Sequence, residues 1–111
     1  MVRMIALIRV KNRDDFNKYR ELVPATLEPY GGEIRLRADR PVTLTDENEL
    51  GDFSQVALLW FPTADAMTDW YQSAAYNDLI ELRFGAGLFT MIGVDPGETR
   101  IMIIMLNLVS R

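Results

Sequence analysis

The chain has 111 residues, a net charge of −4, and neither histidine nor cysteine. The acidic balance, with no Lys/Arg cluster, excludes the positive stripe that nucleic acid needs. The missing residue types exclude disulfides, a thiolate nucleophile, Cys/His zinc sites, an imidazole base and proximal-His haem ligation.

Residues 2–10 read as the first strand. Val2, Met4, Ala6, Ile8 and Val10 share one face, and Ile5 and Leu7 lie on the other. Apolar residues on both faces predict a strand covered on both sides. This apolar start is short and interrupted by Arg9 and Lys11. Neither a signal peptide nor a membrane span is expected, and the expected location is cytoplasmic.

Asn12 suits an N-cap, with Asp14 and Asp15 in the first helical turn. Phe16, Tyr19, Val23 and Leu27 then recur at three- and four-residue steps as one apolar stripe. Pro24 should kink or restart this helix. Pro29-Tyr30-Gly31-Gly32 should end it, the glycines supplying positive φ.

Residues 33–38 alternate as a second strand. Ile34, Leu36 and Ala38 are expected to face the core, with Glu33, Arg35 and Arg37 facing outward or into a cavity. Residues 42–45 are a candidate continuation of that strand. The acidic stretch 46–52 reads as a solvated loop, since its spacing lacks the pattern of a calcium loop. No metal and no cofactor are expected.

Residues 54–61 form the third strand, with Val56, Leu58 and Trp60 on one face and Ala57, Leu59 and Phe61 on the other. Thr63 can cap a second helix bearing Ala66, Trp70 and Ala74 as a stripe, and Ser73 can cap a further segment reaching Arg83. Residues 88–94 are the fourth strand, and the nearly all-apolar residues 100–109 are an expected fifth. The order β-α-β-β-α-β plus a terminal strand is the split βαβ pattern, an α+β ferredoxin-like domain spanning residues 1–111.

Both helices of that arrangement pack on one sheet face, yet the first, third and last strands are apolar on both. Burying the second face against another copy returns roughly 25 cal/mol for each Å² removed from water. A homodimer with two sheets face to face is therefore expected. The apolar last strand should pair across that dimer or close the sheet.

Phe61-Pro62-Thr63, Ala66, Trp70-Tyr71-Gln72-Ser73, Tyr76 and Arg83 together resemble the signature of the DUF1330 family. That signature is a Phe-Pro-Ser-like step, an Ala, a Trp-Tyr-x-Ser-x-x-Tyr core and a later Arg. Phe16, Tyr19, Pro24, the Tyr30-Gly31-Gly32 turn and Arg37 extend the likeness, which spans residues 3–94. The resemblance implies a dimeric α/β barrel. Fold relatives of that kind include small monooxygenases, isomerases and muconolactone-type enzymes. Two departures stand out: Trp60 replaces an acidic residue usual in the family, which removes that carboxylate from proton transfer, and the segment after Asp95 runs past the family pattern.

The matching residues define a candidate ligand site: Tyr30, Gly31, Gly32, Arg37, Trp70, Tyr71, Ser73, Tyr76 and Arg83. Together they offer aromatic walls, hydroxyl donors and a guanidinium fork for a carboxylate or enolate. Plain structure explains the same residues: Trp70 as core, Ser73 as an N-cap, the glycines as a turn, and Arg83 as the partner of a carboxylate such as Glu28. No catalytic residue is assigned, because no base stands ready to activate Ser73. Three functions remain open. They are a cofactor-free oxygenase or isomerase, a non-catalytic binder of a small acidic or hydrophobic metabolite, and an assembly module recruiting through its last strand.

Overall fold

The alternating residues of β1 (Val2–Val10) place it at the centre of a sheet in the computed structural model, which describes residues 1–96. The strand expected over residues 100–109 lies outside the described residues. β1 pairs antiparallel with β3 (Gln55–Phe61) on one side and β4 (Gly87–Val94) on the other. β2 (Glu33–Asp39) pairs antiparallel with β3, giving the order β2-β3-β1-β4. The expected β-α-β-β-α-β succession and α+β class are therefore present.

Asn12 does start α1 (Arg13–Leu27), its Oδ1 accepting from the Asp15 N–H at 3.1 Å. The helix runs through Pro24 and does not restart there. Phe16, Tyr19, Val23 and Leu27 are buried on both sides of the proline, so packing holds the helix across the missing donor. A single 3₁₀ turn, Glu28–Tyr30, follows and ends at Gly31 with φ 68°, the left-handed conformation that glycine adopts most easily.

The second helical region is three pieces: α2 (Ala64–Gln72), α3 (Ala74–Asn77) and α4 (Ile80–Ala86). Thr63 Oγ1 caps α2 by accepting from the Ala66 N–H at 3.0 Å. Ser73 makes the first break. Its backbone is extended, its Oγ accepts from the Tyr76 N–H at 3.2 Å, and it donates to the Trp70 carbonyl at 2.7 Å.

The expectation that Leu36 and Ala38 face the core fails, and one feature of β2 explains it. The register slips between Ile34 and Leu36, leaving Arg35 as an extra residue in a bulge. One extra residue reverses the facing of everything after it. Leu36 and Ala38 therefore oppose Leu58 and Val56 on the outer face, not the core, and Leu36 is 51% exposed. Arg37 instead opposes Ala57 on the helix side. Residues 42–45 form no strand either, because the pairing ends at Asp39 and Gln55, where β3 begins. The connection is tied down by other means. Asp46 accepts from the Leu50 and Gly51 N–H groups, and Arg9 donates to the Leu50 and Asp52 carbonyls.

The core lies between the helices and one sheet face. Val2, Met4, Ala6, Ile8, Leu59 and Phe61 supply the sheet side, and Phe16, Tyr19, Trp70 and Tyr76 the helical side. The opposite face carries Ile5, Leu7, Val56 and Leu58 half-buried, with Leu36 and Ile92 exposed. Trp60 also lies there, between the guanidinium groups of Arg3 and Arg35 at 4.7 and 4.1 Å from its ring. Its buried Nε1–H has no acceptor among the described residues.

Candidate functional site

The break at Ser73 decides where the tyrosines go. Tyr76, one turn into α3, is fully buried and packs on Trp70 with ring centres 4.3 Å apart. Trp70, 1% exposed, donates its Nε1–H to Thr26 Oγ1 at 2.9 Å, and Thr26 donates onward to the Val23 carbonyl. An indole buried this deeply needs such a partner, and α1 supplies it. Tyr71 stays 44% exposed at the end of α2.

Three of the four tyrosines converge on Arg83 of α4. Arg83 Nη1 donates to Tyr76 Oη at 3.1 Å and to Tyr71 Oη at 3.2 Å, and lies 3.7 Å from the Met91 sulfur. Tyr19 Oη of α1 is 2.8 Å from Tyr76 Oη. Burial pushes the Tyr19 phenol far above its ordinary range, and the neighbouring Tyr76 adds to the shift. For Arg83, burial works against the charge, but hydrogen bonds to Tyr71 and Tyr76 outweigh it and hold the guanidinium above its ordinary value. Arg83 forms no ion pair among the described residues; neutral hydroxyls and aromatic faces hold it, not Glu28.

Beside Arg83 opens a cavity of about 280 Å³ lined by Met4, Met67, Trp70, Tyr71, Phe89 and Met91. A smaller cavity of about 50 Å³ lies on the α1 side, with Arg20 and Arg37 among its lining residues. Met4, Trp70, Phe89 and Met91 border both and so separate them. The chemistry on offer is a fixed cation, hydroxyl donors and a wall of rings and thioethers. Among the described residues, no group of three His, Cys, Asp or Glu side chains comes together to hold a metal ion.

The structure thus brings together Trp70, Tyr71, Tyr76 and Arg83. It does not bring the other sequence candidates to that cavity. Ser73 is occupied as a cap. Arg37 lines the smaller cavity, turned there by the bulge. Tyr30 packs against the core, Gly31 lies against Pro62, and Gly32 against Leu27 and Phe61. The sequence-derived site lacked Thr26, Met67 and Met91, and also Tyr19, which was placed on the apolar stripe and in the family likeness but not at the site. A tyrosine on a buried stripe is itself a signal, since its hydroxyl must find a partner.

Among solved structures, the chain is similar to a protein of unknown function from Rhodopseudomonas palustris, with TM-score 0.66, 16% identity and coverage of 86% of this chain and 82% of that one. It is also similar to a DABB family protein with a ferredoxin-like fold from Mesorhizobium loti, with TM-score 0.62, 12% identity and coverage of 86% and 96%. A mutant of a cofactor-independent oxygenase from Streptomyces nogalater is similar too, with TM-score 0.61, 11% identity and coverage of 85% and 90%. At these identities the likeness establishes the ferredoxin-like fold alone. No curated protein matches the sequence. The profile of DUF1330, a domain of unknown function, matches residues 2–96, and the chain belongs to that family.

Proposed function

We propose that the chain is a homodimeric binding protein that holds a small anionic, largely apolar metabolite in the cavity beside Arg83. One observation carries this reading: a partly buried guanidinium, fixed by two tyrosine hydroxyls and paired with no carboxylate among the described residues, stands at a cavity walled largely by methionines and rings. A charge so placed leaves a positive site that an anion can neutralise. The dimer is supported by the outer sheet face, where apolar side chains and a Trp60 Nε1–H without an acceptor among the described residues call for a covering surface.

A second reading is a cofactor-free oxygenase or isomerase. The buried Tyr19–Tyr76 hydroxyl pair favours it, because phenols linked to Arg83 can pass a proton along one chain of hydrogen bonds. The fold shared with the Streptomyces nogalater oxygenase is in keeping with it.

The test is thermal-shift screening of small carboxylates against the wild type and Arg83→Gln, followed by a search for product. Stabilisation by carboxylates that falls roughly 10- to 100-fold in apparent affinity in the variant supports binding at Arg83. Product in the wild-type incubation moves the assignment to the catalytic reading. No stabilisation by any carboxylate contradicts the binding reading.

A further inference from the structure

Among the described residues, every hydrogen bond of the Arg83 guanidinium leaves from one nitrogen. Nη1 meets Tyr71, Tyr76 and the Met91 sulfur, whereas Nε and Nη2 have no acceptor among the described residues. Those two N–H groups lie side by side on one edge of the planar group, the edge that matches both oxygens of a carboxylate. The rings of Tyr71, Tyr76 and Phe84, with centres 5.7, 5.8 and 5.4 Å from Cζ, hold the plane. The polar end of the ligand is therefore specified: two oxygens, one negative charge.

The rest of the cavity specifies the other end. Three of the six methionines, Met4, Met67 and Met91, line it together with Trp70 and Tyr71. Met67 reaches this wall because residue 93 of β4 is glycine. A Cβ there would lie 2.4 Å from Met67 Cε and 2.8 Å from its sulfur. Thioether sulfur gains from contact with an aromatic ring, and the partly exposed ring of Tyr71 gains from stacking or edge contacts; a saturated group receives only burial. A volume of about 280 Å³ is at the small end for ligand sites, which start at roughly 300 Å³ and suit one or two rings.

We infer that the ligand is an aromatic carboxylic acid, its carboxylate on the Nε/Nη2 edge of Arg83 and its ring among Met67, Met91 and Tyr71. This rests on the binding reading above and adds the class of ligand to it.

The experiment is calorimetric titration of the full chain with benzoate, cyclohexanecarboxylate and benzamide. Benzoate is expected to bind about tenfold tighter than its saturated counterpart, the worth of one or two ring–sulfur and ring–ring contacts. Benzamide, lacking the charge, should give no measurable binding. The Met67→Leu/Met91→Leu variant keeps the volume and removes the sulfur, so most of the preference for benzoate should vanish while cyclohexanecarboxylate binds as before. Equal affinity of the two acids for the wild type overturns the aromatic assignment and leaves anion binding at Arg83 standing. If neither acid binds, the binding reading fails and the ligand class with it. The wild-type comparison decides even where the double variant does not fold.

Discussion

Tyr19 illustrates what a residue's position in a stripe leaves unsaid. Its place among Phe16, Val23 and Leu27 is legible from spacing, and it is buried as that spacing demands. That its hydroxyl meets Tyr76, 57 positions along the chain, is a tertiary fact that no local pattern encodes. Trp70, Tyr71, Tyr76 and Arg83 were legible as a group, because their spacing matches a family signature. The consequence of burying Tyr19 can be measured. The folded protein holds this proton at pH values where the unfolded chain, with its phenol near pH 10, releases it. The stability gained is fully present below about pH 10 and is lost as pH rises beyond it. Urea unfolding from pH 8 to 11 should show the wild type losing up to about 1.4 kcal/mol per pH unit above pH 10 relative to Tyr19→Phe. Parallel curves for the two proteins would contradict the burial argument.

At the level of elements, the caps at Asn12 and Thr63 and the two faces of β1 and β3 were readable, since each depends on neighbours a few residues away. The bulge at Arg35 was not. Its cause is the pairing of β2 with β3, and it turns Leu36 and Ala38 to the outer face and Arg37 to the cavity on the helix side without any Gly or Pro to announce it. Residues 42–45 have strand-like composition but no strand left to pair with. The Tyr30-Gly31-Gly32 turn was legible as a turn, and the structure adds why residue 32 has no side chain. A Cβ there would lie 2.8 Å from both Leu27 Cδ2 and Phe61 Cε1, two fully buried groups. Gly32→Ala should therefore lower stability by about 1–3 kcal/mol in chemical denaturation. An unchanged midpoint would show that the end of α1 can shift at no cost.

For the whole molecule, the fold follows from the alternation of apolar residues and the order of elements, both local in the sequence. The apolar outer face was legible in the same way. The proposed occupant is a second chain, and an interface between two chains is carried by no single sequence directly. Sedimentation equilibrium at micromolar concentration should give a mass twice that of the 12.7 kDa chain. Leu58→Glu, which puts a charge at the middle of that face, should shift the population toward single chains. A wild-type protein that sediments as one subunit would remove the dimer.

Whether Arg83 anchors a ligand is decided by a crystal structure of the protein grown with 1-naphthoate. We predict the carboxylate within hydrogen-bonding distance of Arg83 Nε and Nη2, with the rings between Met67, Met91 and Tyr71. Naphthoate seated instead beside Arg20 and Arg37, or an empty cavity under saturating ligand, would contradict it.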